Sequence, residues 1–333
     1  MIKNNKKANE ALIMLCYTCA LGAFGAFFRW LQLQTARDSE TGLINPSVLN
    51  YLLPAVIIAA AVLLFLLTRK LTNEDTVFPT GMSEALRGLS LIYIICAWIF
   101  AAIAVIGGVL TIVNTELDTL RSMYVVIAVL AMLSGLGFPI ICSASRSHYS
   151  PSLVSILMTF PIIMYCVWLV SIYRANASNP NLWIYAIETI AVCVILIALF
   201  YVAGYAFGRP EPKKACFMSL FAAFMCITTL ADSRYTGLEL ILVSTAGMLL
   251  LYGWLIVKNR CAPPEPEAEK KPEEAPAEPV EPEVKPEDTV IPATEDSSVP
   301  EPTLEAPTRK PKEKKNPDPS DDVEEIIKEY KKE

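Results

Sequence analysis

The 333-residue chain has a single histidine, His148. With so little imidazole, no His/Cys cluster of zinc-site spacing can be assembled along it. Absent too are His-Glu-x-x-His, Gly-x-Gly-Asp, an aspartate-rich motif between apolar runs, and the Gly-x-x-x-x-Gly-Lys-Ser/Thr phosphate loop. These are the familiar marks of membrane hydrolases, transferases and nucleotide-hydrolysing proteins. Gly135-Leu-Gly-Phe138 offers no serine or aspartate as a nucleophile, and with Pro139 next to it reads as close helix packing and a bend. No catalytic residue, metal or cofactor is therefore assigned. Neither an enzyme nor a nucleic-acid partner is expected.

The nine cysteines do not change this. Cys16 and Cys19 form a Cys-x-x-Cys within an apolar run, where low polarity raises a thiol's pKa and keeps it unreactive. No cysteine falls in a segment expected outside the membrane, so disulfides are not expected and the cysteines read as buried small hydrophobes.

What the chain does have is hydrophobicity, and it is unevenly spread. Hydrophobic residues make up 53% of the chain, almost all before Val257, whereas proline and glutamate gather after it. Up to Arg260 there are 17 basic and 12 acidic residues; beyond it there are 11 and 22. The acidic balance thus belongs to the tail, and the apolar part is mildly basic.

Eight apolar runs are long enough, at about 1.5 Å per residue, to cross a hydrocarbon layer roughly 30 Å thick. They lie near 11–31, 52–68, 89–113, 122–143, 152–173, 182–208, 215–231 and 237–257, the second and seventh being the shortest. Runs apolar on every side do not suit the surface of a soluble domain, and single segments in lipid satisfy their backbone only as helices. The expected fold is an all-α polytopic bundle over 11–257. The Lys-rich start and the "ALGA" of the first run resemble a signal peptide, but the run continues into Phe27-Phe28 and is read as a retained span.

With residues 1–10 placed in the cytoplasm, twelve basic residues fall in or beside inner loops. Five, Arg29, Arg37, Arg121, Arg174 and Arg234, fall outside. That asymmetry satisfies the positive-inside rule and puts both termini in the cytoplasm. Trp30, Tyr51, Tyr124, Tyr173, Trp183 and Tyr235 then mark the outer interface.

Two candidate sites follow. On the first helix Gly22, Gly25, Ala26, Arg29 and Gln32 share a face, and Gly22-x-x-x-Ala26 allows another backbone to come close, which turns Arg29 toward the bundle. Glu188 is the one carboxylate well inside a span, and Arg29, at similar depth, is its expected partner. Glu239 stands at the same level, with Asp232 and Arg234 just beyond. Arg29, Gln32, Glu188 and Glu239 thus read either as a polar mouth or as a structural clamp.

The pattern Phe27-Phe28-Arg29-Trp30-x-Gln32 followed by Asp38-x-Glu40-Thr41-Gly42-Leu43 resembles a stretch in uncharacterised multi-pass membrane proteins of Clostridia-like bacteria. Over these seventeen residues the resemblance implies a bacterial cytoplasmic membrane and no particular activity. In that setting Asn176-Ala-Ser178 would not be a glycosylation site.

The second site lies in the tail. Residues 258–319 form an acidic Pro/Glu/Lys-rich spacer, with fifteen prolines between Ala262 and Pro319, too poor in apolar clusters to offset its ordering entropy. Residues 320–333 differ in kind: Val323, Ile326, Ile327 and Tyr330 fall on one helical face, Ser320 can cap the start, and lysines crowd the end. This amphipathic helix reads as a docking peptide for a cytoplasmic protein. The favoured function is a membrane-anchored assembly component that recruits a partner through this tail. A transporter or channel using the outer mouth and breaks at Pro54, Pro139 and Pro161 is the alternative, and an enzyme acting on lipid-linked material the third.

Overall fold

A computed structural model describes residues 2–35, 47–72, 78–79, 81–86, 91–115, 119–143, 151–177 and 182–260. The tail beyond Arg260, with Val323, Ile326, Ile327 and Tyr330, lies outside the described residues, as do residues 36–46.

Every regular element among the described residues is a helix: α1 (Ile2–Thr35), α2 (Val48–Leu71), α3 (Met82–Ala85), α4 (Leu91–Asn114), α5 (Arg121–Ser143), α6 (Pro151–Asn176), α7 (Leu182–Ala203), α8 (Pro212–Thr229) and α9 (Thr236–Lys258). Seven of the long helices are long and apolar enough to cross a membrane. The expected span 215–231 is the exception. It is realised as α8, only 18 residues long and opened by Pro212 and two lysines. Helix α3 had no counterpart in the apolar pattern.

Pro54, Pro139 and Pro161 sit inside continuous helices, so the expected breaks and bend are not breaks in secondary structure. Around Pro139 the small residues do pack closely: a Cβ on Gly135 would lie 3.0 Å from the carbonyl oxygen of Ala101 on α4. The sixth expected span, to 208, ends as α7 at Ala203. Tight turns follow, closed by Gly208 at φ 71° and by Arg209 N–H donating to the Gly204 carbonyl at 2.8 Å, a glycine-terminated helix end.

Helices α4 to α9 pack in chain order and α9 returns to α4, which closes a circuit; α1 lies against α8 and α9, and α2 against α1 and α8. This places α9 at the centre. Its apolar stretch is 78% buried, against 28% for α1 and α2. Small residues make that position possible. A Cβ on Gly107 would lie 2.8 Å from the Gly237 carbonyl oxygen, so α4 and α9 cross backbone to backbone, and Ser244 Oγ donates to the Phe100 carbonyl at 2.7 Å.

Buried hydroxyls are satisfied mostly within their own helix. Thr18, Thr68, Thr111 and Thr228 each donate to the carbonyl four residues back, at 2.8–2.9 Å. Such bonds let threonine sit in an apolar bundle without a partner on another helix.

Candidate functional site

Glycine brings α1 close enough to carry its arginine inward. Gly22 and Gly25 face α8, where a side chain at Gly25 would collide with Thr228. One turn further on, Arg29 is 1% exposed and reaches the short connection between α8 and α9.

That connection supplies the counter-charge. Arg29 Nε donates to Asp232 Oδ1 at 2.5 Å, and the other oxygen, Oδ2, accepts from the guanidinium of Arg234 at 2.8 Å. Arg234 Nε in turn donates to Glu188 Oε1 at 3.0 Å, and another of its terminal nitrogens donates to the Thr229 carbonyl at 2.9 Å. Glu188 Oε1 also accepts from the Trp168 indole N–H at 3.1 Å. The expected pair Arg29–Glu188 is thus corrected. Each residue has its own partner, and Asp232 bridges the two arginines. The reason is reach: the loop Leu230–Tyr235 lies between α1 and α7 and carries an acid and a base two residues apart.

On the far side of Arg29 the chain of bonds continues into neutral amides. Arg29 donates to Gln32 Oε1 at 2.8 Å, and Gln32 Nε2 donates to Asn50 Oδ1 of α2 at 2.8 Å. Gln32 and Asn50 are buried. Glu239 joins none of these bonds. It is half-buried in the first turn of α9, where a carboxylate favours the helix N-terminus.

A cavity of about 390 Å³ opens beside this network, lined by α5, α6, α7, the 233–235 loop and the start of α9. Glu188 and Arg234 line it together with the polar Trp168, Ser171, Asn176 and Ser233, and Tyr124, Ile172 and Leu238 give it an apolar side. Tyr124 and Tyr235 meet edge to face with ring centres 5.8 Å apart. Below, Trp168 stacks on Tyr165, whose hydroxyl donates to Thr245 Oγ1 at 2.7 Å across the interior from α6 to α9. The Ser171 hydroxyl donates to the Trp168 carbonyl at 2.7 Å.

The sequence offered no sign of Trp168 or Asn50. One looks like another aromatic in an apolar run, and the other sits at a helix start rich in turn formers. Ser171, three residues beyond Trp168, is one of several polar residues on α6, and nothing in the sequence sets it apart.

Among the described residues, no group of three His, Cys, Asp or Glu is arranged to hold a metal ion. Cys216 and Cys226 are buried, but Cys16 and Cys19 lie exposed on the outside of α1. That corrects their expected burial: the packed face of α1 runs through Met14, Thr18, Gly22, Gly25 and Arg29, and positions 16 and 19 fall off it.

The opposite end of the bundle has its own clasp. Arg260 pairs with Glu10 of α1 and donates to the Leu71 carbonyl at the end of α2, while Asn259 donates to the Ala85 carbonyl of α3 at 2.7 Å. The chain matches no protein-family model, no curated protein and no solved structure.

Proposed function

We propose that this is an integral membrane protein that takes a small polar molecule into the cavity beside Glu188 and Arg234, in the manner of a transporter or receptor. The observation that carries this reading is a carboxylate and a guanidinium that both line one cavity, whose other walls combine aromatic and aliphatic side chains with Ser171, Asn176 and Ser233. Binding sites for small molecules combine these features, and a volume of about 390 Å³ suits a ligand of amino-acid size or somewhat larger. A structural clamp alone would be better served by a packed, closed core.

The test is to fill the cavity without touching its charges. Ala175 lines it from α6 and is exposed. Small molecules that raise the unfolding temperature of the full chain should lose that effect in Ala175→Trp. Hits unaffected by this substitution would argue against the cavity.

The loop-charge count supports an orientation with the Arg29 end outward, in a bacterial cytoplasmic membrane if the resemblance at 27–43 holds. Cysteine labelling from outside should then reach Ser178→Cys and not Ser83→Cys.

The tail supports a second reading, recruitment of a cytoplasmic protein by Val323, Ile326, Ile327 and Tyr330. The Arg260 clasp favours it by holding the root of the tail against α1, α2 and α3. A chain ending at Pro319 should lose any such partner in a pull-down from detergent extract.

A further inference from the structure

The bonding capacity left open on Glu188 and Arg234 narrows the class of ligand. A carboxylate can accept on both oxygens, but Glu188 uses only Oε1, which takes the Trp168 indole and Arg234 Nε. Among the described residues Oε2 accepts from no donor, and the side chain is 20% exposed. Arg234 spends three of its five N–H groups, on Glu188, Thr229 and Asp232. Among the described residues one hydrogen on each terminal nitrogen finds no acceptor, and Arg234 lines the same cavity. An acceptor for a cation and donors for an anion therefore stand side by side.

Charge balance points the same way. Among the described residues the two arginines of this network, Arg29 and Arg234, pair with two carboxylates, Asp232 and Glu188. A ligand of net charge would leave one charge uncompensated in a partly buried site, which is costly; a ligand carrying both signs leaves the sum at zero. A lone cation on Glu188 would also face Arg234, and a lone anion on Arg234 would face Glu188.

We propose that the cavity binds a zwitterion with a primary ammonium next to a carboxylate or phosphate. The ammonium sits on Glu188 Oε2, and the anion takes the remaining N–H groups of Arg234. An apolar substituent would lie against Tyr124, Ile172 and Leu238. Two sources carry this chemistry, free amino acids and the phosphoethanolamine headgroup of a lipid. The proposal rests on the reading that the cavity binds a small molecule.

The experiment uses the purified full chain in phosphatidylcholine nanodiscs, read by thermal unfolding and calorimetric titration. The free arm adds L-leucine, L-phenylalanine, L-serine or phosphoethanolamine. Beside these go isoamylamine and 4-methylpentanoate, which keep the leucine skeleton but one charge each. The lipid arm replaces part of the phosphatidylcholine with phosphatidylethanolamine. At least one zwitterion should stabilise the protein, with isoamylamine and 4-methylpentanoate weaker by about tenfold or more in affinity. Glu188→Gln should weaken it similarly, and Ala175→Trp should abolish it. A response in the free arm identifies a soluble ligand; a response only to phosphatidylethanolamine identifies the lipid.

Should Glu188→Gln not fold, Ala175→Trp and the one-charge compounds still decide. If isoamylamine or 4-methylpentanoate binds as well as the zwitterions and Ala175→Trp removes the binding, the zwitterion is wrong and the cavity reading stands. If none of these compounds or lipids acts through the cavity, the zwitterion is overturned. A wider screen for other molecules sensitive to Ala175→Trp then decides the cavity reading by itself.

Discussion

Both ends of the bundle are tied by an arginine, buried at one end and partly buried at the other, yet the two ties differ in what they leave over. At the Arg260 end one guanidinium meets Glu10 and the Leu71 carbonyl, joining the end of α9 to α1 and α2. At the Arg29 end two arginines share Asp232, the second holds Glu188, and a cavity opens on that last pair. The first arrangement fastens helices. The second fastens them and also leaves, among the described residues, a carboxylate oxygen without a donor and two N–H groups without an acceptor on residues that line a cavity, which fastening alone does not require.

The largest expected difference between the ends lies in their central anions. Asp232→Asn leaves Arg29 and Arg234 close together with a neutral amide between them, one of them almost wholly buried. Removing one partner of a buried pair costs about 3–5 kcal/mol because the remaining charge stays desolvated. Unfolding of the variant in detergent, by denaturant or heat, should show a loss of that size. A loss under about 1 kcal/mol would mean that the Arg29 end is as well hydrated as an ordinary surface pair.

A double-mutant cycle sharpens the wiring within that end. Arg29→Met and Asp232→Asn remove two sides of one contact and should couple by about 1–3 kcal/mol, the double variant being less damaged than the sum. Arg29→Met with Glu188→Gln touches residues joined only through Asp232 and Arg234. Its coupling should be about 0.5 kcal/mol or less. Equal coupling in the two cycles would show that Arg29 and Glu188 interact directly.

How much of this end could be read beforehand depends on local pattern. The helices were legible because an apolar run of membrane length has few alternatives to a helix, and the inward turn of Arg29 followed from small residues on the same face. Its partner was not legible. Arg29 and Asp232 are 203 residues apart, and the choice between Glu188 and Asp232 depends on which loop passes over α1, a matter of bundle topology. Helix α9 was legible as apolar but not as central, because centrality comes from having neighbours on several sides. The exposure of Cys16 and Cys19 was missed for a related reason: apolar surroundings in the sequence do not say whether lipid or another helix supplies them.

At the other end, Arg260→Met should cost about 1–2 kcal/mol, less than Asp232→Asn, because Glu10 is partly exposed and can be rehydrated once its partner is gone. The variant should still respond to any ligand that Ala175→Trp abolishes, since the clasp lies away from the cavity. If Arg260→Met removed the ligand response while the chain stayed folded, the two ends would be coupled, and the clasp would be part of a transmission path.

The smallest expected effect tests whether Glu188 is open to water. Trp168→Phe removes the indole N–H from Glu188 Oε1 and keeps an aromatic ring for Tyr165, which stacks on Trp168 with ring centres 5.6 Å apart. In a sealed core, a carboxylate that lost a donor would cost about 1–3 kcal/mol. Here Arg234 remains on the same oxygen, and the cavity gives water access to the carboxylate, so the loss should be about 1 kcal/mol or less, including the smaller ring. Trp168→Leu separates the two contributions, because it removes the N–H and the aromatic stack together and should cost about 0.5–1.5 kcal/mol more. A loss of about 3 kcal/mol for Trp168→Phe, matched by Trp168→Leu, would mean that the indole hydrogen bond is what holds Glu188. Glu188 would then belong with the fastening residues, and the contrast between the two ends would shrink to the single bridging aspartate.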